Sequence, residues 1–240
     1  SAPNVRASAV KTEDFTLQGV TASNVKVKDR EKTTDVQAGS LTAQSAQTKD
    51  AKLKNVSATG INVERQKGLD NITAKTFRAE QVDANGTRVS NLSASNVTLR
   101  NTTNETVIYS NNVQVAKLET DAAILGSLNV AGVRLTIRQG RIEGSSGDID
   151  AGNVTLVKNS DLPQGGKLES VKIYKPVFVL EDSGRYRASA DMSLGGGVLG
   201  SITLGAARSS VVLNNDTVAL NDLTANVMDG SVTGDATIAL

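Results

Sequence analysis

The feature that most restricts this chain is a beat of five in its apolar residues, held from Val5 to Ile137. It opens with Val5, Val10, Phe15, Val20 and Val25, and resumes at Val36, Leu41, Ala46, Ala51, Val56 and Ile61. A third run takes in Ile72, Phe77, Val82, Thr87, Leu92, Val97, Thr102 and Val107, and a last one Val113, Leu118, Ala123, Leu128 and Val133. Two residues after nearly every member stands a second inward-type residue, such as Ala7, Leu17, Ala22, Leu53, Ala58 or Leu99. A helix needs apolar spacing near 3.6 residues and a plain strand alternates by two, so a 2+3 beat suits neither over any length. It suits very short strands that turn two side chains inward and then meet a corner. Self-similarity at a fixed period is the mark of a solenoid. The expectation is an all-β chain, with a pentad β-solenoid over residues 1–137 and an antiparallel β-meander or sandwich over residues 138–240.

The corners carry turn chemistry. Asn, Asp or Gly often precedes the first apolar residue of a pair, as at Asn4, Gly19, Asn24, Asp35, Asn55, Gly60, Asn91 and Asn96. Such residues tolerate left-handed backbone and bond to their own main chain at turns. The stretches AKLKN (51–55), VSATG (56–60), LSASN (92–96) and VTLRN (97–101) resemble units of the pentapeptide-repeat family. That resemblance implies a chain wound into a four-sided β-helix. The chain departs from the family's pattern in putting the large residue first, as in FRAEQ (77–81), and Ser, Thr, Lys or Arg second. The segments REKTTD (30–35) and QKGLDN (66–71) interrupt the beat and read as polar loops inserted on one face.

Composition narrows the function. The 240 residues contain no His, Cys or Trp, and only three Phe and three Tyr. There is therefore no imidazole base, no thiolate nucleophile and no common zinc ligand set. No Gly-x-Ser-x-Gly, Walker-type or Rossmann motif occurs either, so no enzymatic activity and no cofactor are expected. The near balance of 26 basic and 25 acidic residues gives no basic face for nucleic acid. No apolar run approaches the length of a membrane span, so no transmembrane segment is expected.

Two surface features invite ligands or modification. Asp148, Asp150 and Asn153, in GDIDAGN, offer oxygens of the kind calcium takes, although their spacing does not match an EF-hand loop. Asn-x-Ser/Thr triplets occur at Asn55, Asn71, Asn85, Asn91, Asn96, Asn101, Asn104, Asn153 and Asn215 and would accept glycans in a secreted protein. A corner Asn followed by an inward Val or Leu and an outward Thr also creates that triplet automatically. The opening SAPNV reads like the mature end left after signal-peptide removal, and the lack of cysteine suits an oxidising compartment. The expected location is secreted, cell-surface or cell envelope.

From about residue 138 the beat gives way to alternation, as in Tyr186-Ala188-Ala190-Met192-Leu194 and Ala236-Ile238-Leu240. Asp182-Ser183-Gly184 and Asn215-Asp216 read as hairpin tips. The closing stretch VVLNNDTVALNDLTANVMDGSVTGDATIAL (211–240) looks like the terminal β-meander of AsmA-like envelope proteins, and KIYKPVFVLEDSGRYRASADMSL (172–194) has a similar cadence. That resemblance implies a grooved β-structure implicated in moving lipid between bacterial membranes. The family's membrane anchor and long apolar groove have no counterpart in the sequence pattern.

Three functional expectations follow. The first is a secreted or surface structural protein that associates with other copies of itself, through strands around Val5, Ala7 and Val10 and around Ala236, Ile238 and Leu240. Both segments are strand-competent, and exposed strand ends template further pairing, so filaments or an envelope scaffold would result. The second is an AsmA-like protein carrying lipid in a β-groove. The third is a solenoid adhesin or ice-binding protein with a cell-surface ligand, for which Thr21, Thr42, Thr73 and Thr98 would supply an outward row.

Overall fold

The computed structural model describes every residue except Asp14, Asp161, Leu162, Asp229 and Leu240. Its described residues form strands joined by turns, with no helix among them, so the chain is all-β. Two compact units are present: Ser1–Ala116 with Thr136–Gln139, and Lys117–Leu135 with Gly140–Leu240.

The first unit is a meander. After β1 (Ala2–Lys11) come five strands of 16 residues: β2 (Phe15–Arg30), β3 (Thr33–Thr48), β4 (Ala51–Gln66), β5 (Leu69–Ala84) and β6 (Thr87–Thr102). β7 (Glu105–Val115) follows. Each strand pairs antiparallel with the next, and no register shift occurs from β1 to β7. Strand and two-residue turn together make a repeating unit of 18 residues. The expected coil of very short strands is thus replaced by long strands that reverse direction. The segments REKTTD and QKGLDN, expected as inserted loops, are tight hairpins whose turns are Glu31-Lys32 and Lys67-Gly68.

The beat of five marks bends inside these strands. In every second strand two residues five apart have left-handed backbone: Gly19 and Asn24 in β2, Asn55 and Gly60 in β4, Asn91 and Asn96 in β6. Each replaces the two-residue step of a pleated strand by a three-residue step, so the apolar residues stay on one side while the strand changes direction. Gly60 has φ +58, and a Cβ there would lie 2.7 Å from Lys75 Cγ on the neighbouring strand. Glycine and asparagine hold these corners because other residues resist that conformation.

The second unit is less regular. It contains β8 (Lys117–Glu119), β9 (Ala123–Leu125), most of β10 (Leu128–Arg138), β11 (Arg141–Ser145) and β12 (Ile149–Leu156). β13 (Gly166–Glu181), β14 (Tyr186–Leu194), β15 (Gly196–Leu199), β16 (Ile202–Asn214), β17 (Thr217–Val227) and β18 (Gly230–Ala239) follow. Pairing is again antiparallel, with register shifts in β12–β13, β13–β14, β16–β17 and β17–β18. Its core gathers Ala151, Val154 and Val171, with Leu125, Leu168, Met192 and Leu194 packed around them. The two expected tips, at Asp182–Gly184 and Asn215-Asp216, do join β13 to β14 and β16 to β17.

Candidate ligand trough

Cross-strand pairing sorts the residues of the first unit onto two faces, since paired residues point to the same side. On the inner face the apolar residues stack into columns that cross the sheet. One column runs Val5–Ala22–Leu41–Ala58–Phe77–Ala94–Val113. Beside it Ala43, Val56, Ala79 and Leu92 stack in register. Val27–Val36–Val63–Ile72–Leu99–Ile108 forms a column beyond one bend, and Val10–Leu17–Ala46–Leu53–Val82–Val89 forms one beyond the other.

These columns make a trough. Ala43, Val56 and Ala79 are only 3%, 7% and 2% exposed. One face of a single flat sheet leaves its side chains open to water, so the flanking arms must fold toward this column. This column and the Val5–Val113 column beside it lie between the two bends and form the floor, and the arms beyond the bends are walls. The walls stay open: Val27 is 57% exposed, and Ile72, Phe15 and Val10 are exposed as well. Apart from Thr48 and Thr87, each inner-face residue of β2 to β6 between the Val27 and Phe15 columns is apolar.

Polar pairs finish one wall. Asp29, Thr34, Arg65, Asp70, Asn101 and Thr106 continue the inner face beyond the Val27 column, each paired with the next across the strands. Thr34 Oγ1 donates to Asp29 Oδ1 at 2.9 Å, Arg65 Nε to Asp70 Oδ1 at 2.9 Å, and Thr106 Oγ1 to Asn101 Oδ1 at 2.8 Å. The sequence reading missed this rim. Its signal was present, since Asp29/Thr34, Arg65/Asp70 and Asn101/Thr106 recur at the same place in alternate hairpins.

The opposite face is polar. Ser23 and Ser40 share a hydroxyl hydrogen bond of 2.7 Å, as do Thr59 and Thr76. Thr21 pairs with Thr42 and Thr73 with Thr98, but Arg78 and Ser57 follow Thr42 in its row, and no unbroken threonine row forms. Arg88 Nε donates to Asp83 Oδ1 at 2.9 Å and holds that carboxyl below its ordinary range, with Gln81 adding a second hydrogen bond.

The other sequence-derived candidates fall in several places. Val5, Ala7 and Val10 lie on β1, which pairs with β2. Ala236 and Ile238 lie on β18, which pairs with β17, while Leu240 is outside the described residues. Asp150 Oδ1 accepts a hydrogen bond from the Gly152 amide, which closes a local turn, and Asp150 pairs with Lys172 across the strands. Asp148 and Asn153 flank that turn. Among the described residues no group of three or more acidic side chains is gathered for a metal ion.

Of the asparagines in Asn-x-Ser/Thr triplets, Asn55, Asn85, Asn91 and Asn96 occupy left-handed corners or turns. Asn24 occupies the same kind of corner without forming a triplet, so geometry selects Asn there. Asn55 Nδ2 donates to Glu80, and Asn215 Nδ2 to the Gly184 carbonyl. Asn71 and Asn101 lie within strands, Asn104 in a turn, and Asn153 in β12.

The second unit carries a groove of about 720 Å³ of mixed polar and apolar lining, with Tyr174, Asp191, Met192, Arg208, Asp222 and Leu223 among its residues. It sits where β17 is bulged at Asp222, whose amide donates to Asp235 Oδ1 at 2.8 Å. No helix among the described residues is long and apolar enough to cross a membrane. Comparison with protein families, characterised proteins and solved structures yields no match to this chain.

Proposed function

We propose that the first unit holds the acyl chains of lipids, and that the protein is a lipid-carrying component of a cell envelope. The observation that carries this reading is the set of apolar columns, continuous across seven strands and left half open. Six strand spacings of about 4.8 Å give a floor about 29 Å long. A bilayer's hydrocarbon core, two acyl layers deep, is about 30 Å, so one chain fits within the floor. Each methylene moved from water onto this surface contributes about 0.8 kcal/mol. The inner face between the Val27 and Phe15 columns carries no charge and suits a hydrocarbon chain, whereas the paired polar rim suits a headgroup left in water. The likeness of residues 211–240 to AsmA-like envelope proteins points the same way. The test is organic extraction of the purified protein followed by lipid analysis, with titration of a fluorescent straight-chain fatty acid. Bound acyl lipid and saturable probe binding are expected, and Ala58→Glu, on the floor, should abolish both. A protein that yields no lipid and binds no probe sinks the proposal.

A second reading is favoured by the outer strands. β1 pairs with β2 and β18 with β17, and a strand edge left without a partner would offer its backbone groups to further pairing. Strand pairing between copies would build a filament or scaffold of a secreted or surface structural protein. β1 carries Pro3, Arg6 and Lys11, which discourage such pairing, whereas the only charge of β18 is Asp235. Negative-stain electron microscopy over a concentration series tests it: fibres abolished by deleting residues 1–10 support it, and dispersed particles at all concentrations refute it.

A further inference from the structure

We infer that Phe77 decides which hydrocarbons the trough accepts, admitting unbranched acyl chains and excluding rigid ring systems; this rests on the acyl-chain reading above. Phe77 stands in the floor column on the fifth of seven strands, and it is half-buried. Its cross-strand partners are Ala58 and Ala94. Its inward neighbours along the strand are Ala74 and Ala79. The one bulky, stiff side chain of the floor is therefore ringed by four methyl groups. Leu41 has the same setting among Ala22, Ala58, Ala38 and Ala43, but an aliphatic side chain is smaller and more adaptable. The other aromatic on this face, Phe15, is at the end of a wall and 39% exposed.

A phenyl ring among alanines forms a step across the floor. A methylene chain is narrow and rotates about each bond, so it passes beside the ring over Ala74 or Ala79. A fused-ring or branched hydrocarbon presents a wide, rigid face and meets the ring edge. Apolar pockets discriminate weakly by attraction and more strongly by such obstruction.

The experiment compares binding of cis-parinaric acid, a straight chain, with that of dehydroergosterol, a fused-ring probe, in the wild type, Phe77→Ala and Phe77→Leu. The wild type should bind the straight chain and discriminate against the sterol. Phe77→Ala should improve sterol binding roughly tenfold with straight-chain binding little changed, and Phe77→Leu should fall between. If Phe77→Ala fails to give a strand-type circular dichroism spectrum, Phe77→Leu decides alone. Wild type that binds the chain, with the same chain-to-sterol ratio in the folded variants, overturns the role of Phe77 and leaves the trough intact. Wild type that binds the sterol as well as the chain also overturns it. Wild type that binds neither probe removes the trough reading and this inference together.

Discussion

β4 and β13 are built alike and used differently. Both have 16 residues, and both bend at two left-handed residues five apart: Asn55 and Gly60 in one, Ser170 and Lys175 in the other. β4 lies between two strands of its own length, in register from end to end. β13 is flanked by shorter strands, β11 and β12 on one side and β14 and β15 on the other, with register shifts. Beside β4 the apolar columns run on without a break and stay open. Beside β13 they are cut up and close into a local core, where Val171 is 5% exposed. Bending alone therefore does not make a trough; bending repeated in register does.

The sharpest way to break this comparison is to add volume in each place. Gly144, on β11, faces Phe178 of β13, and a Cβ at Gly144 would lie 1.9 Å from the ring. Gly144→Val should cost about 3 kcal/mol or more, because backbone and ring must both move. Ala58→Val, at a half-buried floor position with no closed core above it, should change stability by less than about 1 kcal/mol. Urea denaturation of the two variants measures the contrast, and equal losses would mean that the trough floor is as tightly filled as the second unit.

Removing volume asks the same question more gently. Val171→Ala opens a cavity in a closed cluster and should cost about 2 kcal/mol. Ile72→Ala, on a wall 36% exposed, should cost about 1 kcal/mol, since water already reaches the site. Saturating straight-chain fatty acid should enlarge the Ile72→Ala loss and leave that of Val171→Ala unchanged. Thermal unfolding with and without the fatty acid provides the check.

Much of this arrangement could be read from the residues, for a physical reason that also sets the limit. The inward set from Val5 to Leu99 follows the beat of five closely. Thr102 and Val107 fall on the outer face, opposite Leu69 and Arg100. Beyond Leu99 the wall runs straight to its turn, plain alternation returns, and counting by five lands on the wrong side. The beat also reads the same in both directions, so a wound coil and a reversing meander share one pattern. Turns at Lys49-Asp50 and Asn85-Gly86 add two residues between Thr48 and Ala51 and between Ala84 and Thr87, which mimics a corner. The turns at Glu31-Lys32 and Lys67-Gly68 follow the polar rim instead and look like interruptions. In β13 the beat survives as Leu168, Val171, Ile173, Pro176 and Phe178, but Ser and Lys hold its corners and give no signal. The trough itself is a matter of what fails to cover an apolar face, and no residue pattern states that.

Those corners supply a third contrast, with opposite signs. Lys175 has φ 44, a conformation that costs a side-chain-bearing residue about 1 kcal/mol relative to glycine. Lys175→Gly should therefore raise stability by up to about 1 kcal/mol, less the added freedom of the unfolded chain. Gly60→Lys should lower it by about 1–2 kcal/mol, from the same backbone strain together with the approach to Lys75. Destabilisation by both substitutions would show that the bend of β13 depends on the Lys175 side chain.

The smallest effect concerns the polar face, where the trough unit has a titrating carboxyl held by an arginine. Arg88 keeps the Asp83 carboxyl charged to lower pH than its ordinary value of 3.8. A carboxyl whose pKa falls on folding stabilises the folded chain above its unfolded pKa. That contribution fades as pH drops through the folded value, because the unfolded chain then binds more protons. Asp83→Asn should flatten the acid limb of the stability profile below the ordinary carboxyl value of 3.8 and leave it unchanged in slope near neutrality. Arg88→Gln should flatten the same limb by returning Asp83 toward its ordinary value. The pair is solvent-exposed, so 1 M salt should shrink the difference between wild type and both variants. An acid limb of the same slope in all three proteins would show that the Asp83–Arg88 contact is not maintained in solution.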